Sequence, residues 1–368
     1  MENAFRFADE LGPAKIVHIH LPRTGLKAVV VVDNVAAGPS IGGVRIAPDV
    51  STEECVRLAR AMTLKNAAAG LAHGGGKSVI SADPAMAEPE KERLVRAFAC
   101  AVRDLTDYIP GPDMGTNERA MAWVKDEIGR AVGLPRELGG IPLDEIGATG
   151  FGVAVAAEVA QRFGGPKLTG ARVAIQGFGA VGKHAARFLA EKGARLVAAS
   201  DSAATLVDPN GIDVARLIAL KNAGRSVAEF PDGEKLDRDA IVGVDCDIWI
   251  PAARPDVLTA ANVDRLKAKL VVQGANIPAT EEAEARLHGR GVISIPDFVA
   301  NAGGVICGAV EYHGGSQAQA LAAIEERIRT NVAAVLGEAQ RTGQAPRVAA
   351  VVLATERVKR AMALRRWA

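Results

Sequence analysis

At 368 residues, 49% apolar and 24% charged, the chain has the composition of a folded protein of about two domains and not of a disordered one. Lys and Arg total 44 against 43 Asp and Glu, a formal charge of +1, which excludes the basic footprint of a nucleic-acid binder. No run approaches the roughly 20 apolar residues of a membrane span, and Glu2, Asp9 and Glu10 stand where a secretory signal would be basic and then apolar.

His18 and His20 alternate along a first strand and are expected to face solvent. The apolar run Ala28 to Val32, ended by Asp33 and Asn34, reads as a second strand, and a Gly38-Pro39 turn leads to a short one around Gly43 to Ile46. Ser51 with Glu54 three residues on predicts a capping box and a helix to about Ala69. A turn at Gly74 to Gly76 introduces Lys77 and the strand Ser78 to Ile80. Helix follows from about Pro89 to Asp104, then a Pro/Gly-rich loop from Tyr108 to Asn117 and a helix from Glu118 to Gly129. Beyond the Gly/Pro-rich stretch 133–140 a helix begins near Thr149.

From Ala171 strands and helices alternate, with strands at Arg172 to Gln176, Arg195 to Ala199, Ile248 to Ile250, Leu270 to Val272 and Val292 to Ile295. The last part, from Gln317, is mostly helix. Such alternation predicts an α/β fold of two domains with parallel sheets covered by helices. The first domain, 1–144, is expected to hold a mostly parallel sheet, and a Rossmann domain to fill 145–340, with the helix at about 341–368 packing back on the first. Cys55, Cys100, Cys246 and Cys307 lie far apart and the six histidines form no cluster, so reduced thiols, a cytoplasmic setting and no metal site are expected.

The strand Arg172 to Gln176 runs into Gly177-Phe178-Gly179-Ala180-Val181-Gly182 and then a helix. With a second strand ending near Ser200-Asp201, this glycine spacing has the context of a dinucleotide fingerprint. Gly177 serves the turn, Gly179 lets the backbone approach the pyrophosphate, and Gly182 permits close helix–strand packing; the phosphates would meet the helix N-terminus. Asp201 is the acid expected at the adenosine ribose. No Lys or Arg occurs from Ser202 to Asn210, so NAD is favoured over NADP.

Leu58, Met62, Lys65 and Ala69 share a helix face, which puts Lys65 on an apolar stripe beside small residues. A single such lysine commonly snorkels to water. A second lysine, Lys77, follows the triple glycine, and two cations with room beside them call for an anionic ligand such as a carboxylate. Gly76-Lys77-Ser78 is not a P-loop, because Leu71 stands where its first glycine is required. Asp113 lies in a loop where Thr116 or Asn117 can cap the next helix, which leaves the acid for chemistry.

Lys65-Asn66-Ala67-Ala68-Ala69-Gly70 with Gly74 to Lys77, Pro112 to Asn117, Ala148 to Gly152, Gln176 to Gly182, Gly274-Ala275-Asn276 and Pro296 to Val305 together resemble the Glu/Leu/Phe/Val dehydrogenase family. The resemblance runs in order from about Gly38 to Glu311. It implies reversible oxidative deamination of an L-amino acid to a 2-oxo acid and ammonia with NAD or NADP, in a homo-oligomer whose first domain is the substrate and oligomerisation domain. It further implies Lys77 as the catalytic lysine that activates water, Asp113 as its proton-exchanging partner, and Lys65 at the substrate α-carboxylate. Gly42 and Gly75 would let backbone close on the substrate, with Asn301, Val305 and Gly308 on the substrate side. Thr149 and Asn276 would hold the nicotinamide end, with Ala252 among the cofactor-binding residues. Two domains closing over substrate and cofactor would exclude water from the hydride transfer.

Glutamate-specific members of that family carry a lysine where this chain has Ile41 and a serine where it has Gly308. Neither replacement can pair with a side-chain carboxylate. An apolar, leucine- or phenylalanine-like substrate is therefore expected, with glutamate as the alternative and Arg254 as the cation it would require. A catalytically silent NAD-binding sensor is a third reading, opposed by the intact Lys65, Lys77 and Asp113. Short-chain dehydrogenase chemistry is excluded, since neither Tyr108 nor Tyr312 has a lysine four residues on.

Overall fold

The computed structural model describes residues 5–366; the ends of the expected first domain and last helix, 1–4 and 367–368, lie outside the described residues. The chain divides into two compact units. One holds the residues up to Pro142 together with Val305–Ala320 and the chain from Val352 onward, the other Leu143–Gly304 and Leu321–Val351.

The first unit contains β1 (Lys15–Leu21), β2 (Leu26–Asn34), β3 (Ser40–Ala47), α1 (Thr52–Ala68), β4 (Gly74–Ser81), α2 (Glu88–Ala101), β5 (Tyr108–Pro112) and α3 (Glu118–Ile128). Its sheet runs β1-β2-β4-β3-β5. The β1–β2 and β2–β4 pairs are antiparallel while β4–β3 and β3–β5 are parallel, so the sheet is mixed where a mostly parallel one was expected. The short link from Leu21 to Leu26 dictates this, because two strands joined so tightly can only pair antiparallel. His18 and His20 are exposed on β1.

Leu26, Val44, Ile46 and Ile80 on one face of the sheet pack with Phe98 of α2 and Met121 and Val124 of α3. On the other face Val31 and Val79 meet Cys55 and Ala59 of α1. Ser51 caps α1 by accepting from Glu54 N at 3.1 Å, but the Glu54 carboxylate goes to Arg45, so only half of the predicted capping box forms. Gly74 to Gly76 are strand and not turn. Glycine is required there because α1 crosses so closely that a Cβ on Gly75 would lie 2.0 Å from Thr63 N. Tyr108–Pro112, expected to be loop, pairs with β3 as an edge strand, where proline is tolerated.

From Leu143 onward the chain forms α4 (Leu143–Ile146), α5 (Ala148–Ala160), β6 (Arg172–Gln176), α6 (Ala180–Glu191), β7 (Arg195–Ser200), β8 (Thr205–Val207), α7 (Val214–Asn222), β9 (Glu234–Leu236), β10 (Ile248–Pro251), β11 (Leu270–Val272), α8 (Glu281–Gly289), β12 (Ile293–Ile295), α9 (Asp297–Ala300), α10 (Gly303–Tyr312), α11 (Gln317–Thr342) and α12 (Pro346–Ala363), and all its strands belong to the second unit. Its sheet order is β12-β11-β10-β6-β7-β8-β9. The strands from β12 to β7 are parallel, and β8 and β9 add an antiparallel edge. Strand order reverses at β6, with β7 on one side and β10 on the other. Ligands bind such sheets at this switch point, outside the carboxyl ends of the strands.

Two segments group differently from the sequence expectation. Val305–Ala320 lies with the first unit, and the chain up to Val351 stays with the second. The buried Glu311 explains the first: its carboxylate accepts from Leu134 N at 3.0 Å and Ile141 N at 2.8 Å, fastening the end of α10 to the loop after α3. Among the described residues no helix is long and apolar enough to cross a membrane.

Candidate active site

Side chains alternate along a strand. Gly75 faces Thr63 and Val79 faces Cys55 and Ala59, so Lys77 between them points to the same side of β4. On β3, Val44 and Ile46 belong to the opposite core, which leaves Ile41, Gly43 and Arg45 on the Lys77 side. Ile41 pairs with Gly75 and Arg45 with Val79, so Gly43 falls beside Lys77; Gly111 of β5 stands opposite Gly43.

Asp113 follows β5 directly, and Lys77 Nζ donates to its Oδ2. Arg45 Nε reaches the same oxygen at 3.2 Å, while Arg45 Nη1 donates to Glu54 at 2.5 Å. Asp113 is free for this because Thr116 and Asn117 hold the loop. Asp113 N donates to Thr116 Oγ1 at 2.9 Å, and Asn117 caps α3 by accepting from Ala120 N at 3.0 Å.

Lys77 is 6% exposed. Burial pulls its pKa below the ordinary lysine value, and the opposing charge of Asp113 does not fully offset it. For Asp113 burial acts upward, but Lys77 and Arg45 outweigh it and hold the carboxyl below its usual range. Burial thus favours the neutral amine of Lys77, while Lys77 and Arg45 favour the ionised carboxylate of Asp113. Arg45, missed in the sequence, fixes the carboxylate from the other side.

The space in front of the pair exists because residue 43 has no side chain. A Cβ there would lie 2.8 Å from Asp113 Cβ and 3.2 Å from Lys77 Nζ. Gly43→Ala is therefore expected to lower kcat by about 10- to 100-fold through misplacement of the pair, with a melting temperature near wild type. Parallel measurement of kcat and thermal melting checks this, and an unchanged kcat would refute it. Gly42 and Gly75, expected on the substrate side, are also required by packing: a Cβ on Gly42 would lie 1.8 Å from Gly76 O, and one on Gly75 would strike α1.

Lys65 is half-buried, on the flank of α1. The buried stripe of the helix is Cys55, Ala59, Thr63 and Asn66, not the Leu58–Met62–Lys65 line. Thr63 Oγ1 donates to the buried Asp33 at 2.6 Å and Arg60 to the same carboxylate at 2.8 Å, which anchors the helix that carries Lys65. Ile41 is 5% exposed and pairs across β3–β5 with the buried Ile109. A Cβ on Gly308 would meet Val132 at 3.7 Å, and one on Gly111 would meet Val132 at 3.0 Å. Val305 is half-buried one turn before Gly308 on α10.

At the switch point of the second unit, Gly177 has φ +89°, and a Cβ there would lie 2.4 Å from Ala253 Cβ. A Cβ on Gly182 would lie 2.1 Å from Gly177 O, so α6 can pass β6 only with glycine there. Gly179 has no described atom within 4 Å of that position, so the backbone is open to a ligand. Gly177 N and Phe178 N both donate to Ser200 O, at 3.0 and 2.7 Å, and the Phe178 ring is core. These two hydrogen bonds shape the turn. α6 begins at Ala180 with no side-chain cap at Gly179, so the N–H groups of its first turn are available to an anion.

The neighbouring loops stack along the same strand ends. Ala252 N donates to Gln176 O at 2.7 Å, and Gly274 N and Ala275 N donate to Pro251 O at 2.9 and 2.8 Å. Asn276 is exposed, and the buried Asn301 donates to its Oδ1 at 2.9 Å, so Asn301 positions Asn276. Thr149 lies in the first turn of α5, and a Cβ on Gly304 would lie 3.3 Å from its Oγ1. Asn301 Oδ1 and Gln176 Oε1 are buried without a partner among the described residues, acceptors that suit a donor arriving at this crevice. The glycine cradle, the open helix N-terminus and these acceptors fit a nicotinamide dinucleotide.

Two further features were not found in the sequence. Arg347 donates to Glu284 at 2.5 Å and to Gln273 and Asp297 at 2.8 Å, and Asp297 accepts from Ile277 N at 2.9 Å. This buried network holds Ile277, a non-glycine residue at φ +48°, next to Asn276. The second feature is Lys221 of α7, whose Nζ donates to Asp201 Oδ2 at 2.7 Å. The tip of β7 therefore has a cation after all, contrary to the expectation from Ser202 to Asn210. Arg254, exposed, reaches only Asp239 at 3.7 Å among its described ion pairs.

A buried acid–base pair on one unit and a dinucleotide crevice on the other define a nicotinamide-dependent dehydrogenase. The Glutamate/Leucine/Phenylalanine/Valine dehydrogenase model matches residues 139–366, and that of the Glu/Leu/Phe/Val dehydrogenase dimerisation domain matches 13–130. The chain belongs to the Glu/Leu/Phe/Val dehydrogenase family and is an amino-acid dehydrogenase using NAD or NADP. It is 40% identical over 358 residues to a glutamate dehydrogenase of Aeropyrum pernix, covering 91% of this chain and 85% of that one. It is 39% identical over 355 residues to an NADP-specific glutamate dehydrogenase of Saccharolobus shibatae, covering 90% and 83%. The solved L-tryptophan dehydrogenase of Nostoc punctiforme superposes with a TM-score of 0.75 at 27% identity, covering 96% of this chain and 98% of that one.

Proposed function

We propose that the chain reversibly deaminates an L-amino acid with an apolar side chain to its 2-oxo acid and ammonia. The observation that carries the reading is the lining beyond Gly43: Ile41 and Ile109 are buried on the Lys77 side of the sheet, and Gly308 abuts Val132. When bound, the dinucleotide supplies the hydride acceptor. Lys65 takes the substrate α-carboxylate. Asp113 accepts a proton from the substrate amino group, and neutral Lys77 removes a proton from the water that attacks the imine carbon. Asp113 then returns its proton to the amine, which leaves as ammonia while the carbinolamine hydroxyl gives up its proton to the Asp113 carboxylate and the 2-oxo acid forms. Thr149, Ala252 and Asn276 hold the nicotinamide end, with Asn301 behind Asn276. The description of residues 13–130 as a dimerisation domain supports a homo-oligomer.

The second reading is glutamate, favoured by the names and close identity of the Aeropyrum and Saccharolobus relatives. A substrate panel separates the two. With leucine, methionine, phenylalanine and glutamate, and both dinucleotides, kcat/KM is expected to be more than about tenfold higher for the apolar substrates, a difference of over ~1.4 kcal/mol in the transition state. A glutamate preference would select the second reading.

A further inference from the structure

Arg45 of β3 and Glu54 of α1 extend the Lys77–Asp113 pair into a row of four charges of alternating sign. Lys77 Nζ and Arg45 Nε both donate to Asp113 Oδ2, the second at 3.2 Å, and Arg45 Nη1 donates to Glu54 Oε1 at 2.5 Å. Each carboxylate oxygen offers about two lone pairs, and these two donors use those of Oδ2. A proton that Asp113 takes from a substrate amino group then enters at Oδ1.

The side chains of Arg45, Asp113 and Glu54 are 18%, 21% and 31% exposed, so their charges act on one another through little water. Burial is the largest force lowering the Lys77 pKa; Asp113 opposes it, and the like charge of Arg45 adds to it. The Cys55 thiol of α1 and the Tyr108 phenol of β5 also act on this pair. Burial pushes both upward, Cys55 to about 12, so they stay neutral where Lys77 titrates.

We propose that Arg45, anchored by Glu54, is a positioning residue for the reaction, which holds Asp113 by Oδ2 and leaves Oδ1 for the substrate amino group. The proposal rests on the proton-transfer roles proposed for Lys77 and Asp113. Steady-state kinetics of the intact enzyme across pH, with its preferred amino acid, tests it. Arg45→Gln is expected to lower kcat by about 10- to 100-fold through misplacement of Asp113, with KM for the amino acid changed by less than about threefold. The rising limb of kcat/KM should move to higher pH, because a cation beside Lys77 is gone. Glu54→Gln keeps an oxygen for Arg45 but removes the countercharge, so its limb should move to lower pH. Arg45→Lys keeps the charge but not the fork that reaches two carboxylates, so its limb should stay near that of wild type while kcat remains low. Far-UV circular dichroism of each variant verifies folding, and the lysine and Glu54→Gln variants carry the test if Arg45→Gln does not fold.

A folded Arg45→Gln enzyme with wild-type kcat overturns the proposal, as does a loss confined to KM. Limbs that move the same way in Arg45→Gln and Glu54→Gln, or an Arg45→Lys enzyme with wild-type kcat, overturn it too. A Lys77→Ala enzyme with wild-type turnover overturns the proton-transfer reading and the proposal with it, whereas an inactive Lys77→Ala enzyme beside an undisturbed Arg45→Gln one overturns the proposal alone.

Discussion

Replacing Lys77 with alanine is expected to lower kcat by about 10³- to 10⁴-fold, the loss typical of a removed proton-transfer group, while NADH still binds near its wild-type constant. The groups proposed for the cofactor, Gly177 to Gly182, belong to the other unit. The fold should also survive. Asp113 keeps Arg45 at 3.2 Å, so the deletion does not strand a buried carboxylate. The pH profile gives an independent readout. In the proposed mechanism neutral Lys77 is the base, so kcat/KM should rise with pH and level off at an apparent pKa below the ordinary 10.5, because burial disfavours the ammonium. Asp113 opposes that shift. Asp113→Asn should therefore move the rising limb to lower pH while reducing the plateau. The pair titrates as a unit, and the limb reports the pair. A Lys77→Ala enzyme with wild-type turnover, or a limb that Asp113→Asn leaves in place, would remove Lys77 from the proton-transfer role.

The parts of this site that were legible in the sequence are those written in one local segment. Gly177, Gly179 and Gly182 sit between a strand and a helix, and each does a job set by its missing Cβ. Lys77 and Asp113 stand 36 residues apart and meet only because β3 pairs in parallel with both β4 and β5. No periodicity reports such a meeting; the family resemblance did. Arg45 gave no signal, since an arginine alternating with Val44 and Ile46 looks like the solvated side of a strand. Its partner Glu54 was read as a helix cap because the local pattern allowed it. Gly74 to Gly76 were read as a turn for the same reason, where the decisive fact is the tertiary approach of α1. The network of Gln273, Glu284, Asp297 and Arg347 spans 74 residues of sequence from first to last and is invisible until the strands and helices assemble. Lys221 stands 20 residues beyond Asp201 and reaches it only because α7 folds back to the tip of β7.

Ile41→Lys is expected to raise the ratio of glutamate to leucine kcat/KM by on the order of 10²- to 10³-fold. In wild type a side-chain carboxylate directed at Ile41 would lose water and find no cation in place, a burial that costs several kcal/mol. A leucine or methionine side chain there gains about 0.8 kcal/mol for each CH₂ removed from water. The substitution reverses both terms. It also creates a problem in the free enzyme, since residue 41 is 5% exposed, between Gly75 and Ile109, with Lys77 on the same side of the sheet. The new ammonium is desolvated and repelled until a dicarboxylate arrives. The variant's melting temperature should therefore fall in buffer and be raised by 2-oxoglutarate much more than by 2-oxoisocaproate, because only a ligand that matches the buried charge stabilises the folded state by its own binding free energy. Wild type should show the opposite order. This thermal readout does not depend on turnover, so it separates a pocket that contains residue 41 from a variant that has merely lost activity. A folded variant with an unchanged substrate ratio and no selective response to 2-oxoglutarate would mean that Ile41 does not line the substrate pocket, and the case for an apolar substrate would fall with it.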